Sequence, residues 1–196
     1  MITAMMMMVA AGIGAPPAED PRAAIHTVPV CLGHSFIPGR TLAKQMAAQI
    51  FATAHVRLEW HDGLGQRSCP AGAIQITVEN ASDPKRLPGS VAYALPFEGT
   101  HIHVFYDRLQ AMALGQRRPH LLALVLVHEI THMLQGICRH SETGVMKAYW
   151  HEREYNEITI KPLTFTDADI ELIQLGLAAR APTVAVNAAQ KPLTRQ

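Results

Sequence analysis

Two histidines and a glutamate near the middle of the chain have the spacing of a metal site. His128, Glu129 and His132 form an HExxH run. Residues four apart lie about one turn apart on an α-helix, so both imidazoles can project from one face and share one metal ion. Glu129 can reach a water molecule on that ion without itself binding the metal. The run predicts Zn²⁺ as the cofactor and Glu129 as the catalytic residue.

A third ligand has to come from outside this run, because a catalytic zinc ion usually takes three protein ligands and keeps its fourth position for water. His140 is the leading candidate. It follows Gly136 by four residues. A glycine with positive φ can end the helix there and turn the chain back beneath the two helical histidines. The predicted metal ligands are therefore His128, His132 and His140.

Two alternatives to this ligand set remain open from the residues alone. Glu152 follows the HExxH run by twenty residues and would serve as third ligand if it projects from a later helix. Cys138 would close a four-ligand structural site together with the histidines. Otherwise Cys138 is expected to be a small buried residue.

The hydrophobic pattern around these residues predicts a mixed domain. Apolar residues alternate with polar ones in some segments and recur at helical spacing in others. The predicted strands are 27–31, 56–60, 74–78, 91–95 and 102–106, and the predicted helices are 41–54, 120–135 and 167–177. This order indicates an α+β (mixed α/β) fold, with a roughly five-stranded sheet, a backing helix, an active-site helix and a small, mostly irregular or helical C-terminal part.

The length of 196 residues fits one domain with a sizeable core. We expect that domain to span 25–177, with an upper part at 25–136 and a lower part at 137–177. Residues 1–24 are interpreted as a signal-like leader and linker. Residues 178–196 are rich in alanine, contain two prolines and lack an apolar period, which predicts a disordered tail.

Composition narrows the classes of partner and the compartment. A net charge of +1 argues against nucleic acid as a partner. The apolar stretch Met1–Ala15 carries no charge and is too short to span a bilayer, so it predicts export, to the periplasm or outside the cell, and no stable membrane span. Three cysteines are too few for a disulfide scaffold, although Cys31 and Cys69 can pair in an exported protein.

The segment 128–146 resembles the active-site segment of the metzincin clan of zinc metallopeptidases. The clan pattern is HExxHxxGxxH followed by a methionine-containing turn. Here Gly136 and His140 come later than in that pattern, and two additional residues separate the second and third histidines. The sequence Gly-Val-Met at 144–146 is similar to the clan's Met-turn, which forms a hydrophobic floor under the metal.

This resemblance implies a zinc-dependent metalloendopeptidase with a zincin-like domain. Glu129 would take a proton from a zinc-bound water molecule and pass it to the leaving nitrogen. The strand 91–95 would form the rim of the cleft and pair with an extended peptide or protein substrate. The alternatives are a zinc-binding protein without proteolysis, either a degenerate zincin or a structural site with Cys138, and a gluzincin-like peptidase with Glu152 as third ligand.

Five other residues carry local expectations. Asp107 and Arg108 follow the last predicted strand and are expected to form an ion pair that anchors the loop leading into the active-site helix. Trp150 is expected to pack the lower part of the domain. The residues before the last helix, Thr166 and Asp169, resemble a helix-capping arrangement.

Overall fold

A computed structural model describes residues 25–33, 36–63, 69–112 and 115–180. The predicted leader and the tail beyond residue 180 lie outside the described residues, so export and tail disorder stay predictions. The strands are β1 His26–Gly33, β2 Val56–Gly63, β3 Ile74–Glu79, β4 Ala92–Ala94 and β5 His101–Phe105. The helices are α1 Arg40–Ala52, α2 Tyr106–Met112, α3 Arg117–Gln135, α4 Glu152–Glu157 and α5 Asp167–Arg180.

The five strands form one mixed sheet in the order β2-β1-β3-β5-β4. Neighbouring strands are parallel except for β4, which runs antiparallel to β5 at one edge. Parallel neighbours need a crossover connection, and α1 supplies the one between β1 and β2. The mixed α/β fold class predicted from the hydrophobic pattern is therefore confirmed.

Helix α3 lies in the interior of the domain. Every residue of α3 from Leu121 to Gln135 is buried. The helix packs against α1, α5 and the sheet, including the edge strand β4. Alternate residues of the neighbouring strands, such as Ile76 and Ile102, contribute to the same hydrophobic core. A helix that is buried on all sides forces its polar residues into the interior as well, and this places the HExxH run inside the domain.

Helix α2 is absent from the sequence-based prediction. It begins at Tyr106, the last residue of the predicted strand 102–106, and it has only seven residues. The expected ion pair between Asp107 and Arg108 is wrong. The Asp107 carboxylate accepts hydrogen bonds from the backbone N–H and hydroxyl of Ser82, at 3.0 Å each. Both residues therefore anchor the loop before β4, because Arg108 donates to the same hydroxyl and to loop carbonyls.

The remaining differences lie at the ends of elements. Helix α3 begins at Arg117, three residues earlier than predicted, and α5 continues to Arg180, three residues into the segment predicted to be disordered. Cys31 forms a disulfide with Cys69, which joins β1 to the segment before β3. Among the described residues, no helix combines the length and the apolar character that crossing a bilayer requires.

Candidate metal centre

Three histidines lie together at the C-terminal end of α3. His128 and His132 project from the helix, and His140 approaches from the loop that follows. One nitrogen of each ring lies within 4.8 Å of the other two. The ring centroid of His140 lies 5.2 Å from that of His128 and 5.0 Å from that of His132. The structure thus brings together the three residues predicted as metal ligands.

Hydrogen bonds to the backbone determine which nitrogen of each helical histidine carries the proton. His128 Nδ1 lies 2.9 Å from the Val145 carbonyl oxygen, and His132 Nδ1 lies 3.1 Å from the Ile137 carbonyl oxygen. A carbonyl oxygen only accepts, so each Nδ1–H donates and each Nε2 keeps a lone pair. The two Nε2 atoms are 3.1 Å apart. Two lone pairs that face each other at this distance repel, and a cation between them removes the repulsion.

The geometry and the protonation states both fit zinc. Two nitrogens at about 2.0–2.1 Å from one tetrahedral zinc ion are about 3.3 Å apart, close to the observed separation. Burial lowers the pKa of His128 to about 4 and also lowers the pKa of His132 and His140. All three imidazoles are therefore neutral at pH 7, which is the form that binds a metal. Three imidazole donors with a position left for water match the ligand set of catalytic zinc sites.

Gly136 sets the direction in which the chain leaves the helix. Its φ of 69° lies in the left-handed region, and its N–H donates to the His132 carbonyl oxygen at 2.9 Å. This conformation is the common helix stop in which glycine avoids the penalty of a Cβ. The next residue, Ile137, can then turn its carbonyl back to the His132 ring. The turn predicted at Gly136 is present.

The segment that resembles a Met-turn lies against the histidines. Val145 accepts the bond from His128, and its N–H donates to the Thr164 carbonyl oxygen at 2.9 Å. Met146 is fully buried, and its carbonyl oxygen accepts a hydrogen bond from the Ser141 N–H at 2.8 Å. These bonds connect the residue that orients His128 to the residue that follows His140.

Glu129 faces the edge strand from inside the domain. Its side chain is buried, with 8% of the residue exposed. Burial raises the pKa of Glu129 to about 8, although the Ala94 backbone N–H donates to the carboxylate and opposes the shift. The Val91 carbonyl oxygen and the Leu95 N–H form hydrogen bonds with β5. Alternate residues of an edge strand face opposite sides, so the N–H of Ala94, which lies between them opposite Ile102, points away from β5 to the open edge of the sheet. The predicted catalytic carboxylate and the predicted substrate-binding strand are therefore in contact.

The two alternative ligands lie elsewhere. Glu152 is exposed at the start of α4 and lines a cavity of 280 Å³ with Arg117 and Tyr155. Cys138 is exposed rather than buried, which corrects the expectation of a buried cysteine. Neither belongs to the cluster of potential metal-binding residues found in the described part of the chain. The structure does not support a gluzincin-like site with Glu152 or a site closed by Cys138.

Trp150 contacts the cluster in a way that the sequence did not indicate. Its ring centroid lies 5.8 Å from that of His128, with the planes at 89°, and 6.4 Å from that of Tyr155. The indole therefore packs edge-on against a histidine of the site as well as against the lower part of the domain, as expected.

A mixed five-stranded sheet with one antiparallel edge strand, followed by a buried helix that carries HExxH, is consistent with the zincin-like domain expected from the sequence. The structure is similar to that of archaemetzincin from Methanopyrus kandleri. The TM-score is 0.54 with 16% sequence identity, and the match covers 81% of this chain and 98% of the other. At this identity the similarity concerns the fold. No protein-family model and no curated protein sequence matches the chain.

Proposed function

We propose that this protein is a zinc-dependent metallopeptidase that holds zinc through His128, His132 and His140. The observation that carries the proposal is the position of the two helical Nε2 lone pairs, 3.1 Å apart with the third imidazole beside them. The fold of a zincin-like domain and the buried carboxylate next to the cluster support the same function.

Glu129 is proposed as the general base and acid. When bound, zinc polarises a peptide carbonyl and lowers the pKa of a water molecule to about 7. Glu129 follows the proposed ligand His128 directly and its buried side chain contacts the edge strand, so its carboxylate is placed to accept a proton from water and to deliver it to the leaving nitrogen. The buried position of the carboxylate also keeps bulk water from competing for that proton.

An extended peptide segment is proposed as the substrate, with the strand predicted at 91–95 as its docking edge. The ordered strand is shorter, Ala92–Ala94, and its even-numbered residues direct their N–H and C=O groups away from β5, although the Ala94 N–H already donates to Glu129. A substrate strand that pairs there would be held through backbone bonds, which accept many side chains. Because Ala94 also touches Glu129, the paired substrate would lie beside the general base.

Glu129→Gln tests the proposed mechanism. The amide keeps the shape of the side chain but cannot accept the proton, so we expect hydrolysis of a denatured protein substrate to fall by about 10²- to 10⁴-fold. Zinc content, measured by elemental analysis, should stay at one ion per chain. The matched control is Glu152→Gln, which changes an exposed glutamate outside the cluster and should alter neither quantity.

Two results would contradict this mechanism. Hydrolysis that persists in Glu129→Gln would remove Glu129 from the reaction. Stoichiometric zinc in an unaltered chain that hydrolyses no peptide substrate would favour the zinc-binding protein without proteolysis.

A further inference from the structure

His140 is the ligand whose position depends most on its surroundings. The other two histidines are fixed by a buried helix, whereas His140 lies on the loop after Gly136 and is exposed. A metal site needs its third ligand held in place before the ion binds, because an unrestrained loop loses conformational entropy on binding. Interactions outside α3 therefore have to hold this loop in place.

The residues on both sides of His140 bond to the same carboxylate oxygen. Ser141 Oγ donates to Asp169 Oδ1 at 2.5 Å, and Arg139 Nη1 donates to the same oxygen at 3.3 Å. The Asp169 side chain is 0% exposed. A buried carboxylate is costly unless hydrogen bonds and charge compensate it, and these two donors supply part of that compensation.

The other carboxylate oxygen of Asp169 forms hydrogen bonds at the start of α5. Asp169 Oδ2 accepts from the Thr166 backbone N–H at 3.0 Å and from Thr166 Oγ1 at 2.7 Å. In return, the Asp169 N–H donates to Thr166 Oγ1 at 3.2 Å. This is the reciprocal capping arrangement expected from the sequence. One oxygen therefore serves the loop and the other serves the helix, so the two functions can be separated by substitution.

Helix α5 is in turn fixed to the helix that carries the other two histidines. A Cβ at Gly176 would overlap the Leu134 carbonyl oxygen and lie 3.1 Å from the Cα of Gln135. The two backbones are therefore in direct contact. Gln135 Nε2 also donates to the Asp169 carbonyl oxygen at 3.4 Å. These contacts hold Asp169 at a fixed position relative to the C-terminal end of α3.

We propose that Asp169 is a positioning residue for His140, which it acts on through Ser141 and Arg139. This inference rests on the proposed zinc site. The segment between His132 and His140 is long, and the anchored Asp169 carboxylate holds it so that the His140 imidazole lies beside the other two.

The test compares Ser141→Ala with Thr166→Val in the full chain, using zinc and cobalt(II) as probes. Ser141→Ala removes a loop bond to Oδ1 and leaves the helix cap, whereas Thr166→Val removes cap bonds and leaves the loop bonds. Zinc affinity is measured by chelator competition, and the cobalt absorption spectrum reports the ligand set. The thermal midpoint of the metal-free chain reports stability, and Trp150 fluorescence reports binding beside His128.

We expect Ser141→Ala to weaken zinc binding by about 10- to 100-fold and to change the cobalt spectrum, as loss of support for a ligand does at other metal sites. Thr166→Val should lower the thermal midpoint of the metal-free chain while zinc affinity stays within about threefold of the unaltered value. Asp169→Asn, which keeps the shape of the side chain, should weaken zinc binding at least as much as Ser141→Ala.

The possible failures are distinguishable. An unaltered chain that binds no zinc overturns the proposed function and this inference with it. Zinc binding in the unaltered chain that Ser141→Ala leaves unchanged overturns the positioning role alone. The same follows if Thr166→Val weakens zinc binding as much as Ser141→Ala, since Asp169 would then act only through general stability.

Discussion

The close contact between α5 and α3 predicts that alanine in place of Gly176 destabilises the protein, which is the opposite of what helix propensity alone predicts. Gly176 lies inside α5, where alanine in place of glycine normally raises stability by about 0.5–1 kcal/mol. Here the new Cβ would overlap the Leu134 carbonyl oxygen and come within 3.1 Å of the Gln135 Cα. Both are backbone atoms of a buried helix, so neither can move aside as a flexible side chain would.

The size of the effect follows from these two opposing contributions. Overpacking in a core costs about 1–3 kcal/mol, which exceeds the propensity gain. We expect Gly176→Ala to lower the free energy of unfolding by about 1–2 kcal/mol, or the thermal midpoint by about 2–8 °C in a domain of this size. Zinc affinity should fall as well, because separating the helices displaces Asp169 from the loop that carries His140.

The measurement is thermal and urea unfolding of the metal-free chain, followed by zinc titration. Glu171 provides the matched control, because it is exposed in the same helix. Glu171→Ala and Glu171→Gly give the propensity difference at a site without packing, and alanine should be the more stable there by up to about 1 kcal/mol. If Gly176→Ala is as stable as the unaltered chain or more stable, α3 and α5 are not in direct backbone contact, and that contact does not hold Asp169 in position.

Two further predictions concern the loop before β4 and the behaviour in acid. Arg108→Ala should expose the segment 82–90 to limited proteolysis and destabilise the protein by at least about 2 kcal/mol. The reason is that the Arg108 guanidinium donates to four carbonyls of that segment and to the Ser82 hydroxyl. An unchanged cleavage pattern would show that other contacts hold the loop. Burial raises the pKa of Asp169, but the hydrogen bonds from Ser141 and Thr166 and the charge of Arg139 outweigh it and hold the pKa below its usual value. This stabilisation is present above the unfolded pKa of about 3.9 and is lost as the pH falls through the lower folded pKa. Urea unfolding of the metal-free chain between pH 6 and 2 should therefore show a steeper loss of stability in acid than Asp169→Asn does, and parallel curves would contradict the assignment.

The parts of the site that the sequence predicts are those whose geometry is local. The HExxH run specifies its own arrangement, because four residues make about one helical turn. Gly136 specifies the exit from the helix by its backbone freedom, and His140 follows within four residues. The capping pair at the start of α5 is equally local.

The parts that could not be predicted depend on contacts between distant segments. Glu129 bonds to a strand residue 35 positions earlier, Ala94, and His128 packs against Trp150, 22 positions later. No period or motif encodes either contact, since both result from how α3 packs in the core. Helix α2 was missed for a different reason: seven residues contain too few repeats of the helical period to be separated from the end of a strand.

The additional residues between the second and third histidines can be placed one by one. Compared with the metzincin pattern, one of them precedes Gly136 and lengthens α3, and the other lies between Gly136 and His140. One more helical residue rotates the exit by about 100° and advances it by about 1.5 Å, so a loop of unchanged length would direct the third imidazole away from the helical pair. The second residue restores the reach of the loop, but it also adds conformational freedom. The bonds from Ser141 and Arg139 to Asp169 restrict that freedom on both sides of His140, and so the longer interval still brings three imidazoles to one point.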